Sequence, residues 1–199
     1  MRRIIFEMIR LAKMKQYRKK NFPVEKVRWY LEPSPTVLVT SAWKRTVNVM
    51  PMGWYSVLEF SPSLLGCYIW NHNYSFELIR KSRECVLNLP EAHLLETVIR
   101  AGNTSGRTLD KFKTFGLTPR PARRVRAPLI AECFASFECK VVDVHLLKKY
   151  NFFILQIVQA HVAPLRRFPR TFSYRGEGVF TLSGKSIAFP KSRFNPDNL

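Results

Sequence analysis

The chain has 199 residues, a comfortable length for one domain and a cramped one for two. Apolar residues make up 46% and aromatics 13%, which supplies a packed core and excludes a disordered chain. The net charge of +19, from 33 basic and 14 acidic residues, implies an anionic partner: nucleic acid, a membrane or a phosphorylated small molecule.

Residues 1–20 are basic with scattered apolar positions, and Glu7 and Arg10 interrupt any signal-peptide core. Ile4/Ile5, Met8/Ile9 and Leu11/Ala12 follow a helical period, so a basic amphipathic helix competes with the plainer reading of an accessory extension. Residues 24–35 read as an extended lead-in, with Trp29 and Tyr30 available for burial. Residues 36–43 (TVLVTSAW) are rich in β-branched side chains and predict a strand. Residues 47–55 (VNVMPMGWY) predict a bent strand, because Pro51 cannot serve a central ladder. Residues 64–70 predict the next strand, and Asn71-His72-Asn73 a turn. Residues 75–82 predict a short helix capped by Ser75, with Glu77 in its first turn.

A strand over 85–89 stops at Pro90. Helical spacing follows over 91–100, then a loop over 102–106, then a short helix over 108–115 ended by Gly116. Residues 119–128 form an Arg-rich connector. Two long strands are predicted at 134–146 and 152–162, joined by a hairpin link, and a short hairpin around 176–188. Strands dominate and the helices are too short for a doubly wound sheet. The expected fold is therefore mainly β, a Greek-key-like barrel with decorating helices.

Cys67, Cys85, Cys133 and Cys139 form no CxxC pair and read as small buried hydrophobes of a reduced, cytoplasmic protein. No apolar run approaches the roughly 18–20 residues that span a bilayer. Glycine-rich dinucleotide and P-loop signatures are missing, as are an H-x-x-x-H pair and a G-x-S-x-G elbow. No metal site is expected.

Two polar clusters remain. Asn71-His-Asn-Tyr-Ser75 follows a strand and opens a helix, where free N–H groups hold phosphate. On these residues alone, Ser75 as a mere N-cap is the favoured alternative. In the second cluster, residues 104–112, Gly106 permits close backbone approach and Ser105 offers a hydroxyl. Arg107 and Lys111 supply cationic donors there. A capped, solvated helix start explains that cluster equally well, and Asp110 reads as orienting Lys111 or capping its helix rather than touching an anionic ligand.

VLVTS, NVMPMGW, NYSFELIRKSRECVLNLP, SGRTLDKF and APLIAECFASFECKVVD occur here in this order. From about residue 33 to 162 the chain resembles the flavin reductase-like family, the flavoredoxin branch of the FMN-binding split barrels. The resemblance implies a homodimer with FMN at the barrel edge. It places Asn48, Val49 and Met50 along the flavin ring edge through backbone groups, and Trp54 close to the ring. Asn73 and Ser75 would meet the phosphate or ribityl chain, and Ser105, Arg107 and Lys111 would complete the anion site. Pro51 stands where many relatives carry a hydroxyl residue. Tyr150 and Asn151 occupy the turn where some relatives place a histidine. The corresponding division of the chain is a basic N-terminal extension over 1–22 and one split-barrel domain over 23–199. Residues 1–13, which precede Met14, have no counterpart in the pattern.

Three functions compete. The first is a flavin oxidoreductase taking hydride from NADH or NADPH. The second is a flavoredoxin-like carrier receiving electrons from a redox partner protein. The third is a basic nucleic-acid-binding protein, for which Arg120, Arg123, Arg124 and Arg126 form one cluster and Arg166, Arg167, Arg170 and Arg175 another. No strand-borne stacking motif supports the third, so nucleic acid and membrane are disfavoured as partners.

Overall fold

A computed structural model describes residues 14–165 and 167–193. Seven strands follow one another through a single antiparallel sheet. They are β2 (Val37–Trp43), β3 (Thr46–Met52), β4 (Tyr55–Phe60), β5 (Ser63–Tyr68), β6 (Glu84–Leu89), β9 (Ala135–Asp143) and β10 (Phe152–Val162), in the order β3-β2-β6-β9-β10-β5-β4. An eighth strand, β1 (Lys20–Phe22), pairs with the last residues of β10, beyond the stretch that pairs with β5. Two small ladders stand apart: β7 (Pro119–Arg120) with β8 (Leu129–Ile130), and β11 (Phe172–Gly176) with β12 (Val179–Leu182). The helices are short: α1 (Arg28–Leu31), α2 (Tyr74–Ser82), α3 (Leu95–Gly102), α4 (Lys111–Phe115) and α5 (Leu147–Tyr150).

Period-two alternation explains how β2 and β3 serve two cores at once. Val37, Val39, Met50 and Met52 point into the barrel with Leu87, Phe137, Phe153 and Leu155. Leu38 and Val49 point the other way, into a second core with Leu94, Val98, Phe112 and Phe172. β2 is therefore buried on both faces, between barrel interior and helices, and reads as a nearly continuous apolar run. Pro51 is accommodated because β3 ends the hydrogen-bonded path and has β2 on one side only. The two ends of that path, β3 and β4, are joined through Gly53 and Trp54 without pairing to each other. This is where the barrel is split.

Four local expectations change. Residues 24–35 are not extended: a 3-10 turn (Val24–Lys26) and α1 occupy them, and Trp29 stays half exposed while Leu31 is buried. The 64–70 strand is preceded by a hairpin partner, β4, which the alternation Tyr55, Val57 signals weakly. The C-terminal hairpin turns at Gly176–Gly178, where three successive residues have positive φ, earlier than the predicted span. The packed unit also begins before residue 23. Tyr17 N donates to Ala131 O, Lys19 Nζ donates to the carbonyls of Ile130 and Cys133, and β1 extends the sheet. The division at 22/23 follows composition, whereas the chain docks where backbone partners are available. Residues 1–13, Arg166 and residues 194–199 lie outside the described residues, and with them the amphipathic helix expected at the N-terminus and one arginine of the second cluster.

Candidate ligand site at the open edge of the barrel

A polar cavity of about 210 Å³ lies between β3, the start of α2, the end of α3 and the loop over 104–106. Its floor is Asn48, which is 3% exposed on β3. Asn48 Nδ2 donates to Ser75 Oγ at 2.9 Å, and the Ser41 hydroxyl donates to the same oxygen at 3.3 Å. Asn48 Oδ1 is buried without a partner. Asn88 makes the contrast: equally buried, it donates to Leu38 O and accepts from Ile130 N and Ser136 Oγ, so it is wholly structural. A buried carbonyl left unpaired costs free energy unless something else satisfies it. The loop closes tightly over Asn48, since a Cβ on Gly106 would stand 2.7 Å from Asn48 Cγ and closer still to Oδ1.

Two sources of positive potential face this cavity. The first is the N-terminus of α2. Its N-cap is Asn73, not Ser75, and the Asn73 side chain makes no capping bond; Phe76 N donates to Asn73 O at 3.0 Å, which leaves the N–H groups of Tyr74 and Ser75 for an anion. Ser75 lies inside the first turn, fully buried. The second is Lys111, buried on α4, with Nζ donating to Ala101 O at 2.6 Å. Burial pulls its ammonium down to about 8 from an ordinary 10.5. The start of α4 itself is unfavourable for an anion, because the Asp110 carboxylate sits there, accepting from Lys113 N at 3.1 Å, and would repel a second negative charge. Of the two loop-to-helix junctions read from the sequence, only the first has no carboxylate of its own at the helix end.

The cavity shares Met50, Pro51, Asn73 and Gly102 with a larger cleft of about 740 Å³. Aromatic side chains line this cleft: Trp54, Tyr68 and Trp70 on one side, Tyr174 and Phe180 of the β11–β12 hairpin on the other. Trp54 is 72% exposed and packs at 5.3 Å on Tyr68, so it does not fill the core. Among the described residues lining the cleft there is no Asp, Glu, Lys, Arg or His.

The structure therefore gathers Asn48, Met50, Asn73, Ser75, Ser105 and Lys111 around the polar cavity and Trp54 at the cleft. It sets two sequence-predicted residues apart. Val49 turns its side chain into the second core, leaving only its backbone on the β3 edge. Arg107 lies outside the cavity lining, its guanidinium 2.9 Å from Glu77 and 4.5 Å above the Tyr74 ring. Hydrogen bonds from Lys81 and Arg107 hold the Glu77 carboxyl below its ordinary value. Ser41, Thr36, Tyr68, Trp70, Tyr174 and Phe180 were not picked out as site residues from sequence. Ser41 and Thr36 sit in a segment whose β-branched residues signal only a strand, and Tyr174 and Phe180 belong to a tail with no chemical signature of its own.

Residues 29–181 match the sequence model of the flavin reductase like domain. A protein of Archaeoglobus fulgidus, itself uncharacterized, is 36% identical over 129 residues, 65% of this chain and 72% of that one. An FMN-binding domain of a flavin reductases-like enzyme from Shewanella baltica superposes with a TM-score of 0.81 at 22% identity, covering 88% of this chain and all of that one. Flavoredoxin of Desulfovibrio vulgaris superposes with a TM-score of 0.70 at 24% identity, over 79% and 91% of the two chains.

Proposed function

The chain belongs to the flavin reductase-like domain family, and on that premise we propose that it binds FMN and works as a flavin-dependent oxidoreductase. The observation that carries the proposal is the joining of two unlike spaces through four shared residues. One is a small polar cavity with a buried ammonium and an uncapped helix end; the other is a neutral aromatic cleft. A phosphate suits the first and a planar ring the second.

The residues present fit the cofactor. Lys111, Ser105 and the N–H groups opening α2 would hold the phosphate. The unpaired Asn48 Oδ1 is an acceptor for a ribityl hydroxyl or a ring N–H. Trp54 and the free edge of β3 would flank the ring. Bound FMN supplies hydride and single-electron chemistry. The chain's own contribution is to bind, orient and exclude water, and it needs no acid or base of its own for this.

NADH or NADPH is the proposed electron donor. A second reading, a carrier reduced by a partner protein, draws support from the exposed arginines 123, 124 and 126. The backbone N–H groups of that loop are held by Glu138 and Glu84, which leaves its guanidinium groups outward and able to steer an acidic surface. A homodimer is proposed as well, supported by the exposed Leu58 and Phe60 on β4, the strand at one end of the sheet. A cytoplasmic setting is consistent with four buried, unpaired cysteines.

The test is the visible spectrum of the purified protein with added FMN or riboflavin, followed by anaerobic addition of NADH and NADPH. FMN is expected to bind more tightly than riboflavin. Equal affinities for the two would remove the phosphate site. Bleaching by a reduced nicotinamide favours the reductase reading, and its failure while dithionite bleaches the flavin favours the carrier.

A further inference from the structure

Residues 117–131, which hold β7, β8 and the loop joining them, carry Arg120, Arg123, Arg124 and Arg126 and no Lys, Asp or Glu. All four arginines are exposed. The backbone of this segment is anchored on carboxylates from outside it. Glu132 accepts from Thr118 N at 2.9 Å, and Glu84 from Arg126 N at 3.0 Å. Glu138 accepts from the N–H groups of Arg123, Arg124 and Val125 at 2.9, 2.5 and 3.2 Å. Glu132 and Glu138 are buried, and Ala122, Val125, Ala127 and Leu129 pack on Ala42 and Val86 of the barrel wall. The acidic groups that touch the loop thus face its main chain from below, and none reaches its arginines. Among the described residues none of the four guanidinium groups is ion-paired. Arg120 alone meets a neutral amide, donating to Gln16 Oε1 at 3.1 Å. Lys140, also exposed, stands opposite Glu84 in the β6–β9 register and adds a fifth cation near Arg126.

This patch has charge but no apolar anchor. Between Trp70 and Val142 no large apolar side chain is exposed. A docked protein partner needs a desolvated apolar or aromatic centre, which distant steering by charge does not. A membrane-docking segment needs side chains to insert. The phosphate backbone of a nucleic acid needs neither. Cations bind it by releasing its counterions, and a guanidinium fork matches its paired oxygens. The lack of a strand-borne stacking motif, which disfavours nucleic acid on the sequence alone, weighs against base recognition and not against phosphate contacts.

We propose that residues 117–131 form an interaction surface for the sugar–phosphate backbone of a nucleic acid, bound without base specificity. Arg123, Arg124 and Arg126 are the phosphate contacts, and Glu138 and Glu84 position them by fixing the loop's main chain. The surface lies apart from the residues lining the two cavities, and the inference does not rest on the FMN reading.

The test uses the full chain and short labelled DNA duplexes of two unrelated sequences, read by fluorescence anisotropy across a salt series. The two duplexes are expected to bind alike. Replacing Arg123, Arg124 and Arg126 together by Ala should weaken binding about tenfold or more near physiological salt. It should also lower the slope of log K against log salt by about 2–3, since each duplex phosphate contact contributes about 0.9. Replacing Arg80, Lys148 and Lys149 by Ala removes the same charge from exposed positions elsewhere, and should change the slope by less than about 1. Glu84→Gln and Glu138→Gln each make the protein more positive. Net charge alone therefore predicts tighter binding, whereas loosening of the loop predicts binding weaker by about 2- to 10-fold. Urea denaturation establishes that each variant is folded, and Glu84→Gln serves alone if Glu138→Gln is not. Polyglutamate and phosphatidylserine vesicles are the counter-probes, and the loop triple should lose less toward either than toward DNA. Equal effects of the two triple variants, tighter DNA binding by a folded glutamate variant, a clear preference between the duplexes, or an equal loss toward a counter-probe would overturn the proposal. FMN affinity, read from flavin fluorescence, should be unchanged in the loop triple.

Discussion

Gly106→Ala is the most direct probe of how the polar cavity is made. The new methyl group would stand 2.7 Å from Asn48 Cγ and 3.3 Å from Tyr74 Cδ1, with Oδ1 nearer still. Asn48 cannot yield freely, because it is 3% exposed on β3 and its amide is engaged with Ser75 Oγ. Either the loop lifts or the Asn48–Ser75 bond breaks. Overpacking of this kind costs about 1–3 kcal/mol, and for a chain of this size that lowers Tm by roughly 2–12 °C. FMN affinity should fall by about tenfold or more, since the wall and floor of the phosphate cavity move together. Thermal denaturation and flavin-fluorescence titration read the two effects. Gly184→Ala is the control, with nothing within 4 Å of its Cβ. Asn48→Ala makes room for the methyl, so the double variant should be more stable than the sum of the singles predicts, by at least about 0.5 kcal/mol. Additive losses, or a Gly106→Ala protein with unchanged Tm and FMN affinity, would refute this account of the cavity.

Other outcomes follow from the same geometry. Lys111 titrates near pH 8, so phosphate binding should weaken as pH rises above about 8. The protein without ligand should gain stability over the same range, because its unfolded state there binds more protons. Lys111→Met should abolish that upper limb in an FMN titration. Arg107→Ala should weaken FMN less than Lys111→Met does, since Arg107 must first leave Glu77; a larger loss for Arg107 would place its guanidinium on the phosphate. Glu138 is buried. Burial raises its carboxyl, but hydrogen bonds from His161 and from the N–H groups of Arg123 and Arg124 outweigh it and hold the group below 4.5. It thus stabilises the fold above its unfolded value, and that contribution disappears as pH falls through the lower, folded one. Glu138→Gln should cost about 3 kcal/mol at neutral pH and flatten the acid limb of the stability curve, measured by urea denaturation. A chain beginning at Met14 should keep full stability and flavin binding. One beginning at Val24 should lose on the order of 3–5 kcal/mol with β1 and the Lys19 and Tyr17 contacts.

The sequence by itself determined the class of fold and the family. β-branched runs, Pro51 and the ordered motifs each report on neighbours within a few residues, and such local signals survive without the tertiary structure. Gly116 at its left-handed cap and Asp110 at its helix start were legible for the same reason. Asn48, Ser75 and Lys111 came from the family pattern, and the fold brings them to one cavity although 27 residues separate the first two. Three matters only the tertiary structure decided. Strand parity sent Val49 into the second core while Asn48, one residue before it, floors the polar cavity, because a one-residue step reverses the side of a sheet. Arg107, on a long and flexible stem, took a partner 30 residues away that no local pattern names. The aromatic wall came from a hairpin more than 130 residues beyond Thr36, joined to it by backbone hydrogen bonds, and backbone groups are the same at every position of the sequence.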